Sequence, residues 1–118
     1  MMNEHRRRHR RVGVALWAIE HGAGFSSWHR VSNISKDGLF FETAIPLPSG
    51  MPCILEIELA EGRSIRATTT VVHATASEEE VGVGVAILDI APEDRMILDH
   101  FLEMRLGGEL EGSLSEAT

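Results

Sequence analysis

Met51-Pro52-Cys53-Ile54-Leu55-Glu56-Ile57-Glu58-Leu59 puts Cys53, Leu55, Ile57 and Leu59 on one face of an extended chain and Glu56 and Glu58 on the other. Side chains alternate between faces along a strand, so this period of two marks a strand with one face buried and one in water. Turn formers bound it, with Pro46-Leu47-Pro48-Ser49-Gly50 before and Glu61-Gly62-Arg63 after. Ser64 to His73, whose Thr68-Thr69-Thr70-Val71-Val72 is β-branched throughout, reads as the returning strand.

The same reading extends outward in both directions. Val12 to Ile19 begins in alternation and becomes almost wholly apolar, as suits a strand partly covered on both faces. His21-Gly22-Ala23-Gly24 turns into a second strand, Phe25 to Ile34, and Ser35-Lys36-Asp37-Gly38 turns into a third that opens with Leu39-Phe40-Phe41. Beyond Ser77 to Glu80, Val81 to Leu88 supplies a sixth. Pro92 at a first helical position, with Glu93 and Asp94 in the first turn, then opens a helix. Its predicted inner stripe is Ile97, Phe101 and Met104, flanked by Leu98 and Leu102, and Gly107-Gly108 is a predicted stop. Several short strands and one amphipathic helix predict a small antiparallel barrel or sandwich with the helix stripe packed against it. The expected organisation is a flexible arginine-rich arm over 1–11, one domain over 12–106, and a disordered acidic tail over 107–118.

Composition narrows the function. The 118 residues suffice for one domain, and 43% hydrophobic and 25% charged residues are close to the soluble globular average. Cys53 is the single cysteine, so no disulfide is available and a buried, inert thiol is expected. The apolar run after the arginines is too short for a signal peptide, ends at Glu20-His21 and lacks a small-x-small cleavage site. No segment approaches the ~20 apolar residues that cross a bilayer, and a cytoplasmic location is expected. Arg6, Arg7, Arg8, Arg10 and Arg11 contribute +5 to a net charge of −7, leaving −12 on the remainder. An acidic body disfavours long nucleic acid, whereas a compact cationic arm suits a small anion with few phosphates.

Arginine pairs bidentately with phosphate oxygens or with guanine N7 and O6, and its plane stacks on a purine. Asn33-Ile34-Ser35-Lys36-Asp37-Gly38 lies at a predicted strand end. Asn33 offers an amide oxygen to guanine N–H groups, Ser35 a hydroxyl, and Gly38 a tight backbone that a ligand can approach without a Cβ in the way. These two segments together resemble the PilZ domains, whose signature is Arg-x-x-x-Arg followed by Asp/Asn-x-Ser-x-x-Gly. Arg7 and Arg11 match the first half, with Arg6 and Arg10 a second possible register, and Asn33, Ser35 and Gly38 match the second. The 21 intervening residues, Val12 to Ser32, fall within the family's gap. Gly38-Leu39-Phe40-Phe41, Gly82-Val83-Gly84-Val85 and the closing helix extend the likeness over nearly the whole chain.

The resemblance implies a six-stranded antiparallel β-barrel with one C-terminal α-helix, acting in bacteria as a cyclic di-GMP receptor without catalytic activity. Its expected ligand contacts are Arg6, Arg7, Arg11, Asn33, Ser35 and Gly38. Asparagine stands at position 33 where the family more often has aspartate. An arginine at position 6, immediately before the motif, implies two intercalated ligand molecules per chain. With no output domain in view, the response is expected to pass through an unidentified downstream protein or a change in self-association. The rival expectation is a PilZ-fold interaction module whose arginines dock an acidic partner without nucleotide.

Other residues read more plainly. The six histidines, His5, His9, His21, His29, His73 and His100, form no recognisable zinc pattern beside one cysteine. Gly82-Val83-Gly84 lacks the third glycine and following helix of a dinucleotide fingerprint, so close strand packing is expected there. Glu78-Glu79-Glu80 reads as a solvated loop, and no nucleophile has an evident base. Trp17, Trp28, Phe40 and Phe41 are candidate core side chains, any exposed one being able to stack on a base.

Overall fold

The alternating segments wrap into a single closed sheet. A computed structural model describes residues 11–117 apart from 23, 46, 60, 61 and 77–80, with the main chain alone at 76 and 107–117. In chain order the elements are β1 (Val12–Gly22), β2 (Phe25–Ile34), β3 (Gly38–Glu42), β4 (Pro52–Glu58), β5 (Ser64–Ala76), β6 (Val81–Ile90) and α1 (Pro92–Ala117). The strands close in the order β1-β2-β3-β6-β5-β4, every neighbour antiparallel. Arg6, Arg7, Arg8 and Arg10 of the expected arm lie outside the described residues.

Closure depends on β1, which pairs on one side with β2 and on the other with β4, where Ala18 faces Ile57 and Glu20 faces Leu55. Inward alternation fills the lumen with Ala18, Val31, Leu39, Phe41, Leu55, Ile57 and Val83, all fully buried. The β4 pattern behaves as its sequence predicts, with Cys53, Leu55 and Ile57 inside. Pro52 opens that strand, the position where a missing N–H is tolerated.

The helix departs from expectation twice. Its buried stripe is Leu98, Phe101 and Leu102, while Met104 is 65% exposed and Ile97 only half-buried. Both stripes have helical spacing, so periodicity could not choose between them. The first turn chooses: Asp94 Oδ2 accepts from the Arg66 backbone N–H at 3.0 Å, and Arg95 Nη1 donates to the Lys36 carbonyl at 2.6 Å. With Asp94 and Arg95 turned to the barrel, Leu98, Phe101 and Leu102 follow on the same face at i+3, i+4 and i+7. The helix also runs through Gly107-Gly108 to Ala117, past the predicted stop. Each glycine costs about 1 kcal/mol against alanine in a helix but introduces no clash of the proline kind. The expected boundary between domain and tail is therefore not a helix end.

One end of the lumen holds polar groups. Glu20 is 8% exposed; its Oε1 lies 3.0 Å from His29 Nε2 and its Oε2 accepts from Cys53 Sγ at 4.0 Å. His29 Nδ1 in turn lies 3.2 Å from the Glu42 carbonyl, so each ring nitrogen faces an acceptor. The imidazole packs on Phe41 at 4.7 Å between ring centres. Thr69, fully buried, donates to the Cys53 carbonyl at 2.9 Å and thereby satisfies its hydroxyl within the core.

Burial, and secondarily the Glu20 carboxylate, push the Cys53 thiol from 9.0 up to about 11. The folded chain holds that proton more tightly than the unfolded chain does. Its contribution to stability is thus fully present below pH 9.0 and is lost as pH rises towards 11. Urea unfolding across this window should show the midpoint falling more steeply for the wild type than for Cys53→Ala; parallel curves would contradict a buried neutral thiol.

Candidate functional site

The β1–β2 register determines what meets outside the barrel. Val12 pairs with Ile34 and Gly13 with Asn33, and Val12 and Ile34 both point into the core. Arg11 and Gly13 must then point outward, beside Asn33. Arg11 Nη1 donates to Asn33 Oδ1 at 3.1 Å, across 22 residues of sequence. The last arginine of the arm and the first residue of the second segment are therefore in direct contact. Arg6 and Arg7 lie outside the described residues.

The turn after Asn33 is closed from within. Ser35 is 2% exposed, its N–H donates to the Gly38 carbonyl at 2.8 Å, and its hydroxyl lies 2.8 Å from Asp37 Oδ1 and 3.3 Å from the Gly38 carbonyl. The hydroxyl expected to meet a guanine is thus turned towards the loop itself, and it also receives the Asp37 N–H at 3.3 Å. Neighbouring elements hold the turn from outside. The Ile87 N–H of β6 donates to the Asp37 carbonyl at 2.9 Å, and Arg95 of α1 reaches the Lys36 carbonyl.

Gly38 has a structural reason of its own, beside the expected ligand approach. It is absent from the residues with positive φ, so the turn imposes no left-handed conformation on it. A Cβ there would sit 2.5 Å from the Val85 carbonyl oxygen, main chain that cannot swing away. The glycine lets β3 lie against β6.

Cross-strand pairing adds residues that the linear sequence does not connect. Gly13 pairs with Asn33, Asn33 with Phe40, Phe40 with Gly84, and Gly84 with His73. These form one row across β1, β2, β3, β6 and β5. Gly13 is exposed, with open space where a Cβ would be. The His73 ring lies over Gly84, and the Phe40 ring over Gly82, each close enough to forbid a Cβ there. Of this row Gly13 and His73 are exposed, while Phe40, 4% exposed and a core residue as expected, and Gly84 are buried. Gly13 and Gly84 are far apart in sequence, and only the register brings them into one row.

The tryptophans leave the expected core. Trp17 is 46% and Trp28 56% exposed on the outer wall, edge to face at 6.3 Å, with the Arg30 guanidinium 5.8 Å from the Trp17 ring centre. They border an open groove of about 480 Å³ that also includes Glu42 and Val81. Phe41 is a core residue as expected. Among the described residues no three of His, Cys, Asp and Glu gather as a metal site, and the histidines instead make pairs such as His21 Nε2 with Glu56 Oε1 at 3.0 Å. No described helix is long and apolar enough to cross a membrane.

A family model for the PilZ domain matches residues 5–104, which include both halves of the motif. The chain belongs to the PilZ domain family. No curated protein matches it by sequence. Among solved structures it is similar to the Bacillus subtilis inhibitor of motility, MotI/DgrA, at 21% identity and a TM-score of 0.76, covering 90% of this chain and 52% of that one. It is also similar to Escherichia coli YcgR in complex with c-di-GMP, at 14% identity and a TM-score of 0.73, covering 96% and 51%. The PilZ domain of YcgR with c-di-GMP aligns over 96% of this chain and 98% of its own at a TM-score of 0.63 and 14% identity. At these identities the likeness is one of fold. The chain spans about half the length of MotI/DgrA and of YcgR.

Within this PilZ barrel the candidate site residues differ in structural role, and stability measurements can separate them. Gly38→Ala should cost roughly 1–3 kcal/mol by forcing β3 and β6 apart. Arg11→Ala, outside the core, should stay within about 0.5 kcal/mol of the wild type. Urea unfolding monitored by tryptophan fluorescence reads both, and an unchanged midpoint for Gly38→Ala would remove the close-approach explanation.

Proposed function

We propose that the protein is a cyclic di-GMP receptor that acts by binding rather than catalysis. The observation that carries this reading is the contact of Arg11 with Asn33, which joins the two halves of the PilZ signature on one outer patch. It is supported by structural neighbours that hold c-di-GMP on the same fold.

Cyclic di-GMP presents two phosphates and two guanines. Arg7 and Arg11 would clamp phosphate oxygens or the N7 and O6 edge of guanine, Arg11 exchanging its Asn33 contact for the ligand. Asn33 would then turn its amide to guanine N–H donors. Gly13, exposed and without a side chain, offers a surface low enough for a flat base to approach. Ser35 and Gly38 serve by holding the turn in place, tied to β6 and α1. Ordering of the arm over the ligand would present a new surface to a downstream protein in the cytoplasm. Arg6 would add a cation and a stacking plane for a second, intercalated ligand, offsetting the repulsion among four phosphates.

Calorimetry with the purified protein tests the assignment. Arg7→Ala or Arg11→Ala should each weaken cyclic di-GMP binding by about 1.5 to 3 kcal/mol, the range for hydrogen bonds to charged groups. Absence of heat from the wild type at high ligand concentration would instead leave a PilZ-fold interaction module. Asn33→Ala should reduce the preference for cyclic di-GMP over cyclic di-AMP, since it removes the group that reads the guanine edge. Titration well above the dissociation constant should give two ligands per chain, falling to one in Arg6→Leu; a wild-type ratio of one would refute the role given to Arg6.

A further inference from the structure

At the end of the barrel covered by α1, a groove of about 410 Å³ runs between the helix and the β4–β5 connection. Its floor is apolar, made by Leu59, Ile97, Phe101 and Met104. Leu59 and Phe101 belong to the core, whereas Met104 is 65% exposed, so an oily surface continues from the interior into solvent. Among the described residues its rim carries nitrogen donors, from Arg63, His100 and Arg105. The Arg105 guanidinium sits 5.0 Å from the centre of the Phe101 ring, held over the floor rather than extended into water.

The charge pattern is anomalous for this chain. It has 18 acidic residues against 11 lysines and arginines, yet among the described residues no carboxylate pairs with Arg63, His100 or Arg105. Arg95, on the same helix, does find Asp99 one turn on, at 3.7 Å. Two guanidinium groups and an imidazole that pair with no carboxylate among the described residues are complementary to an anion. The exposed methionine and the ring faces are complementary to an apolar surface.

We propose that this groove docks an acidic amphipathic segment of a partner protein, its carboxylates on Arg63 and Arg105 and its apolar side chains on Ile97, Phe101 and Met104. Ile97 to Arg105 spans about 12 Å along the helix axis, enough for roughly two turns of a docked helix. A narrow segment fits better than an anionic bilayer, because a flat anionic surface pressed against α1 would also meet the exposed Glu93 and Glu103. None of the groove's described lining residues belongs to the Arg11–Asn33 patch.

The probe is a synthetic peptide of leucine and glutamate at amphipathic helical spacing, with a leucine and lysine version as control. Titrated into the full chain, the glutamate peptide should shift the backbone amides of Arg63 and of residues 97–105. Arg105→Glu should weaken it by about tenfold and gain affinity for the lysine peptide, as reversal of one desolvated charge pair requires. Its thermal midpoint and its cyclic di-GMP titration should match the wild type. Met104→Ala, which keeps the charge and removes exposed floor, should also weaken the peptide. Shifts confined to the neighbourhood of Gly13 and Asn33, or equal affinity for the two peptides, would overturn the proposal. Stronger binding to phosphatidylglycerol vesicles than to the peptide would overturn it in favour of a lipid surface. Concentration-dependent sedimentation abolished by Arg105→Glu would overturn it in favour of a second copy.

Discussion

Pairing of β1 with β2, in which Val12 faces Ile34 and Gly13 faces Asn33, is the constraint on which both the closed barrel and the outer site rest. Side chains alternate with a period of two, so a slip of one residue would carry Val12, Ala18 and Glu20 to the outer wall and Arg11 into the lumen. The core forbids that slip, because Ala18, Val31 and Ile34 are fully buried against one another's neighbours. Hydrophobic burial in the lumen thereby fixes where a cation outside it stands. Placing Arg11 against Asn33 needs no separate device, and the irregularity between Gly13 and Leu16 allows β1 to bend as it enters the barrel.

A second consequence concerns the turn from Ser35 to Gly38. Two backbone N–H donors and the single Ser35 hydroxyl proton close it internally, β6 holds the Asp37 carbonyl, and α1 holds the Lys36 carbonyl. Residues of one short motif therefore do different work. Ser35 closes the loop and Gly38 lets it lie against β6, while Asn33 meets Arg11 on the outer face. Recognition of a polar ligand benefits from such support, because a preordered loop loses little entropy when the ligand arrives.

Much of this architecture was legible beforehand, and the exceptions share a cause. Alternation in Cys53 to Leu59 and the β-branched run at Thr68 to Val72 reported burial correctly because one face of each strand meets only the core. Trp17 and Trp28 misled because size and apolarity suggest an interior, whereas their places in the alternation put them outside, opposite Arg30 and Ile19. The α1 stripe misled because two overlapping stripes shared Phe101, and tertiary contacts of Asp94 and Arg95 selected between them. At the site, the two motif halves were visible as residue types at a spacing, and their meeting was implied by resemblance alone. The Gly13, Asn33, Phe40, Gly84 and His73 row was invisible because it is a property of five strands in register, which no single stretch encodes.

The helix is what the Ser35–Gly38 turn and the groove have in common. Arg95 ties its first turn to Lys36, two residues past Ile34 and one before Asp37 in the motif loop. Phe101 and Arg105, two to three turns further on, form one wall of the groove. Between them Leu98 and Leu102 are buried, so α1 is a stiff rod pinned to the barrel along one face. A rod held this way responds to a pull at its first turn by rolling or sliding as a unit, since bending it would break backbone hydrogen bonds that have no other partner in the core. Displacement of the Lys36 carbonyl by a ligand-induced change in the turn would reach the groove through α1 without passing through the lumen. Energetic coupling of this kind is reciprocal, so a segment seated on Ile97 and Met104 would bias the turn by the same free energy with which the turn biases the groove.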